Sequence, residues 1–134
     1  MIPTPPAIHY TVTPLQVDRF LKALAAVESG NNWSAVGEKG ERSIYQFKRK
    51  TWYQYGNVVS FDLIGEARFH AWVYVIAVRH VAWIETVLES KRLPITPENV
   101  ATVWRFGLAG GCRLIRLGKI PDSSQRVRTL YDRL

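Results

Sequence analysis

The chain has 134 residues, 47% hydrophobic and 12% aromatic, with a formal net charge of +7 and a pI near 9.9. That length and apolar content fit one compact domain with a substantial core and exclude a disordered chain. A single cysteine, Cys112, excludes an internal disulfide framework and a Cys-rich zinc site.

The first dozen residues, with Pro3, Pro5 and Pro6, read as an extended arm, residues 1–12. Their start, "MIPTPPAIHYTV", lacks the basic and apolar regions of a signal peptide. Residues 13–134 read as a single domain opening on "TPLQ", with Thr13 as N-cap, Pro14 at the first helical position and Gln16 completing a capping box. The spacing of Val17, Phe20, Leu21, Leu24 and Val27 predicts a helix from Pro14 to about Ser29, stopped by Gly30. A loop rich in glycine and asparagine follows to Gly40. Ile44 to Phe47 read as a short strand or an extended lead-in to the next helix.

"FKRKTWYQYG" reads as a short helix ended by Gly56, its "KRK" run a solvated face. A long helical pattern runs from about Asp62 to Lys91. Its octet "AWVYVIAV", Ala71 to Val78, is apolar on every side, as expected of a helix at the centre of a soluble protein. A buried strand is the competing reading of that octet, and the helical flanks favour helix. The uncharged run is too short to span a bilayer. "TPEN" repeats the start signal, with Thr96 as cap and Pro97 opening a helix that Gly107, Gly110 and Gly111 break. A short helix from about Cys112 to Leu117 and a last one capped by "DSSQ" from Asp122 complete a mainly α-helical domain around one long buried helix, with at most a minimal β element.

Glu28 stands out. It lies one helical turn beyond Leu24 and two beyond Leu21, so it closes the buried stripe of its helix. Apolar neighbours desolvate a carboxylate, and the negative end of the helix dipole opposes it. Both effects raise its pKa. A carboxyl group that keeps its proton near neutral pH is what a general acid in glycosidic cleavage needs. The bland alternative is a helix-end glutamate reaching water.

Neighbouring residues suit a sugar-binding cleft. Ser29 has a hydroxyl to offer the carboxyl group or the broken helix end. Asn31, Asn32 and Trp33 supply amides and a ring for sugar hydroxyls and faces. Gln46, between Tyr45 and Phe47, points away from both if the segment is extended. Loop chemistry and core anchoring are the plain alternatives for these residues.

"ESGNN" followed by "AVGEKGERSIYQF" resembles the lysozyme-like superfamily, specifically the soluble lytic transglycosylases and their phage relatives. The family pattern is Glu-Ser closing a helix, a loop, then Gly-x-x-Gly, an apolar residue, any residue and Gln. Glu28 and Ser29 match, as do Gly40, Ile44 and Gln46, while Ser43 replaces the second glycine. A third block, Ala-x-x-Tyr-Asn-x-Gly, is similar to "ATVWRFG": Ala101, Trp104 and Gly107 fit, and Arg105 replaces the asparagine. The resemblance covers Leu24 to Gly107.

It implies a lysozyme-like fold and cleavage of the β-1,4 bond between N-acetylmuramic acid and N-acetylglucosamine in peptidoglycan. Glu28 would be general acid, then base, and the substrate's own N-acetyl and 6-hydroxyl groups would complete a 1,6-anhydro product. A hydrolytic lysozyme would want a second carboxylate. Glu38 and Glu41 are the nearby candidates, and a polar loop surface is the favoured reading of both. The expected substrate-binding residues are Ser29, Asn32, Tyr45, Gln46, Trp104 and Arg105. Arg105 only donates, so it cannot copy an asparagine, but it suits a muramic carboxylate or wall phosphate.

No metal or cofactor is expected: His9, His70 and His80 form no ligand pair, and each reads as a core or surface residue. Cys112 reads as a small core residue. The expected partner is the glycan strand of the wall, with no nucleic acid and no membrane span, and the protein is expected to act as a monomer. It would be made in the cytoplasm and act at the wall if delivered by phage lysis or a secretion apparatus. A lysozyme-like module that binds glycan or a protein without cleaving, and a basic nucleic-acid binder, are the alternatives.

Overall fold

A computed structural model describes residues 15–134. The predicted arm, the Thr13 cap and Pro14 lie outside the described residues. Among the described residues five α-helices carry the fold: α1 (Val17–Ser29), α2 (Arg49–Tyr53), α3 (His70–Ser90), α4 (Pro97–Arg116) and α5 (Asp122–Arg133). The fold is mainly α, and among the described residues the only β pairing is two isolated antiparallel bridges, Val36 with Arg42 and Arg42 with Phe47.

The first helix begins later than its sequence pattern predicts. Gln16 is its N-cap in extended conformation rather than the third helical residue. The Gln16 N–H donates to the Tyr131 hydroxyl of α5 at 3.0 Å, and its carbonyl accepts the first helical bond from Phe20. A tertiary contact with the far end of the chain therefore sets the first turn. At the other end Gly30 adopts a left-handed conformation, φ 62°, as its position predicts.

The long apolar pattern is helical, not a strand, but it starts at His70 rather than Asp62. Two 3₁₀ turns, Phe61–Leu63 and Ala67–Phe69, precede it. Gly65 between them explains the interruption: a Cβ there would lie 2.9 Å from the Trp33 carbonyl oxygen. The chain passes close to the Trp33 backbone at that point, where a side chain would not fit. Nor is α3 buried on every side. Ala71, Arg79, Ala82, Thr86 and Glu89 form one exposed stripe, while Val73, Ile76, Ala77, Val81, Ile84 and Leu88 lie in the core. The stretch Ala67–Ser90 is long and apolar enough to cross a membrane by length and composition, and half of its most apolar window is buried inside the fold.

Thr96 caps α4 as predicted, its Oγ1 accepting from the Asn99 N–H at 3.2 Å. The predicted triple break is a single one. Only Gly107 leaves helical geometry, at φ 79° and ψ 176°, and Gly110 and Gly111 continue the helix beyond it. In a straight helix positions 103 and 111 would be about 12 Å apart. Here a Cβ on Gly111 would come 2.7 Å from the Val103 Cα, so the two halves fold back on each other. The last helix has Pro121 as N-cap with no side-chain bond, and Asp122 is its first residue rather than its cap. Helix α5 packs on both α1 and α4, and α3 packs on α4. The core joins Phe20 and Leu24 of α1, Phe47, Trp52 and Phe61, the inner face of α3, Val100 and Trp104 of α4, and Val127 of α5.

Candidate active site

The last turn of α1 is tied to the segment after the loop. The Ser29 hydroxyl donates to the Ile44 carbonyl at 2.7 Å, with the Ala25 carbonyl also in reach at 3.1 Å, and accepts from the Asn32 N–H at 3.2 Å. Ser29 therefore joins two of the sequence blocks and caps the broken helix. These three partners are all backbone groups, not the neighbouring carboxyl.

Residues 42–47 are not extended. Arg42 and Phe47 exchange backbone bonds of 2.9 and 2.8 Å around a four-residue turn. Ser43 and Gln46 take positive φ values of 74° and 53° within it. Gln46 is turned inward, not alternated between its neighbours: its Nε2 donates to the carbonyls of Ala35 at 3.1 Å and Ser43 at 2.9 Å. Its Oε1 lies against Gly37, where a Cβ would approach to 2.6 Å. The glutamine amide thus fastens the loop to the turn, with both N–H groups directed at backbone carbonyls.

Tyr45 is buried, its ring edge-on to Trp33, Phe47 and Trp104. Its carbonyl accepts from Trp104 Nε1 at 2.9 Å. Burial, helped slightly by the Asp18 charge, pushes its hydroxyl pKa up to about 12, so it stays protonated. Trp104, expected among the substrate-binding residues, is likewise buried. Asn32 is exposed, and its Oδ1 accepts from the Ser34 N–H at 3.0 Å. Trp33 stacks on His70 with ring centroids 3.5 Å apart.

Glu28 keeps only 10% of its side chain exposed, and Arg105 Nη1 approaches its Oε2 to 3.7 Å. Burial raises its pKa above the ordinary carboxylate value. Arg105 opposes this, Glu41 adds to it, and Lys48 and Arg126 oppose it. Desolvation outweighs the three cations because each stands towards solvent, where its field is screened. Lys48 completes the rim, its Nζ donating to the Arg105 carbonyl at 2.6 Å.

The structure thus brings Glu28, Ser29, Gln46, Tyr45, Trp104 and Arg105 into one neighbourhood made by the end of α1, the 42–47 turn and the middle of α4. It adds three charged residues. Glu41 is a charge neighbour of Glu28 and not merely a surface glutamate; its Oε1 accepts from the Lys39 N–H at 2.7 Å. Lys48 joins the site although its run reads as a solvated face. Arg126 comes from α5, nearly a hundred residues from Glu28, and no local sequence signal points to it. Among the described residues no group of three or more His, Cys, Asp or Glu side chains is placed to hold a metal ion.

No family model matches the chain, and no curated protein or solved structure matches it.

Proposed function

We propose that this protein is a peptidoglycan-cleaving glycosidase of lytic transglycosylase type, with Glu28 as the general acid and then the base. The observation that carries the reading is the state of Glu28: a carboxyl nearly withdrawn from water at a helix C-terminus, its pKa raised by burial, yet ringed by cations at its open side. Such a group donates a proton to a glycosidic oxygen and then draws one from the attacking hydroxyl. Arg105, Lys48 and Arg126 form an electropositive rim suited to the lactyl carboxylate of muramic acid or to wall phosphate. The amide of Gln46 supports the reading less directly, since it shapes the turn that carries Tyr45.

Glu28→Gln tests the reading. Clearing of purified wall sacculi should vanish in the variant, with its thermal unfolding intact. Mass analysis of the released fragments separates the products, because an anhydro end lacks one water relative to a hydrolysed end.

A second reading has its own support. Arg105 within 3.7 Å favours the ionised form of Glu28, and Gln46 spends its N–H groups on backbone carbonyls. Both suit a module of the same kind that holds glycan without cutting it. Wild-type protein that co-sediments with sacculi and clears none would establish this reading instead.

A further inference from the structure

Behind Trp104 lies a cavity of about 410 Å³ between α2, α3 and α4. That volume falls within the range of small-ligand sites. Its lining includes Trp83, Trp104 and His80 from one side and Lys48, Lys50 and Gln54 from the other. The aromatic side is interlocked: His80 stacks on Trp83 at 5.6 Å, meets Trp104 edge-on at 4.7 Å, and lies 2.7 Å from the Tyr55 hydroxyl through Nδ1. Burial lowers the His80 pKa to about 4, so this wall carries no charge at neutral pH.

The opposite wall is cationic and unbalanced. Arg42 and Arg49 pair with Asp62, Arg68 with Glu66, and Arg128 with Glu98 and Asp132. Lys48 and Lys50 make no ion pair among the described residues, and no acidic side chain among them lines the cavity. An apolar aromatic floor under two unpaired ammonium groups selects a ligand with a flat or aliphatic body and carboxylate ends.

We propose that this cavity binds the acidic peptide branch that muramic acid carries on its lactyl group, a proposal that rests on the glycosidase reading. Lys48 links the two places, since its ammonium bonds the Arg105 carbonyl and its charge reaches Glu28. A glycan held with its scissile bond at Glu28 therefore has its branch within reach of the lysines. The peptide carboxylates meet Lys48 and Lys50, and the aliphatic part lies on Trp83 and Trp104.

The test compares glycan strands bearing peptides with strands stripped by an amidase, using wild-type protein and Lys50→Glu, a change at an exposed position. Wild type should cleave the peptide-bearing strands with a kcat/KM roughly tenfold higher, the effect of one hydrogen bond to a charged group. Lys50→Glu should bring that ratio close to one. Equal cleavage of both strands by wild type, or a ratio that survives Lys50→Glu, overturns the peptide site and leaves Glu28 as the acid. If neither strand is cut, the glycosidase reading has failed and the cavity is tested by itself. The free tetrapeptide of the wall, with its carboxylates intact or converted to amides, is titrated against tryptophan fluorescence. Quenching by the acid form alone, lost in Lys50→Glu, upholds the site. No quenching, or equal quenching by the amide, overturns it.

Discussion

Two glutamates held largely out of water make the instructive comparison. Glu28 ends α1 and Glu85 lies in the middle of α3, and burial raises the pKa of both. Glu85 is 6% exposed, neither of its oxygens makes a full hydrogen bond among the described residues, and its pKa rises to about 7, with the Leu15 backbone only partly opposing the shift. The charges of Arg105, Lys48, Arg126 and Glu41 act on Glu28, whereas among the described residues no cation contributes to the shift at Glu85. A raised pKa by itself therefore does not mark a catalytic acid. What sets Glu28 apart is the set of charges that act on it: Arg105, Lys48 and Arg126 oppose the effect of burial.

The sharpest way to break the comparison is to neutralise each acid in turn. Glu28→Gln should lower the rate of sacculus clearing by roughly 10²–10⁴-fold, the usual contribution of a general acid. Glu85→Gln should leave that rate within a factor of a few. Equal loss in both, measured on folded protein, would remove the special status of Glu28.

Stability should divide them the other way. Protonated Glu85 suits its buried site, so its contribution is fully present below the unfolded pKa of about 4.5. It is lost as pH rises through about 7, by about 3 kcal/mol for a shift of this size. Glu85→Gln should accordingly flatten the decline in melting temperature between pH 5 and pH 8. Calorimetry of variant and wild type across that range gives the answer, and an unchanged slope would show that Glu85 ionises without cost.

Arg105→Ala refines the picture at Glu28. Arg105 favours the carboxylate, so its removal should raise the Glu28 pKa further and move the alkaline limb of the kcat/KM profile to higher pH. A limb that moves down, or stays, would mean that Arg105 does not act on this carboxyl. The smallest effect concerns the frame. Ser29→Ala removes the bond to the Ile44 carbonyl and the cap on Asn32, and should lower stability by about 1 kcal/mol in denaturant titration. The same substitution should leave the pH profile in place, because Ser29 bonds backbone and not the acid.

Much of the helical framework was legible because its signals are local. Gly30 and Thr96 mark helix ends through the conformation and side-chain bond of one residue. The position of Glu28 at the end of the buried stripe follows from periodicity, and with it the direction of its pKa. The turn at Ser43–Gln46 was missed because "SIYQF" reads as extended, and the inward placement of Gln46 rests partly on a bond to the Ala35 carbonyl, outside the turn. The 3₁₀ turns before α3 were missed because a close approach to Trp33 interrupts a helical pattern with no break signal except Gly65.

The amino-acid sequence by itself determined which segments are helical, where two of them stop or start, and that one carboxyl group would be short of water, since capping and periodicity act over a few residues. Only the tertiary structure decided where α1 begins, how α4 folds back at Gly107, which way Gln46 faces, and that Lys48, Arg105 and Arg126 surround Glu28. Those outcomes depend on contacts between residues far apart in the chain, and such contacts exist only once the helices have packed.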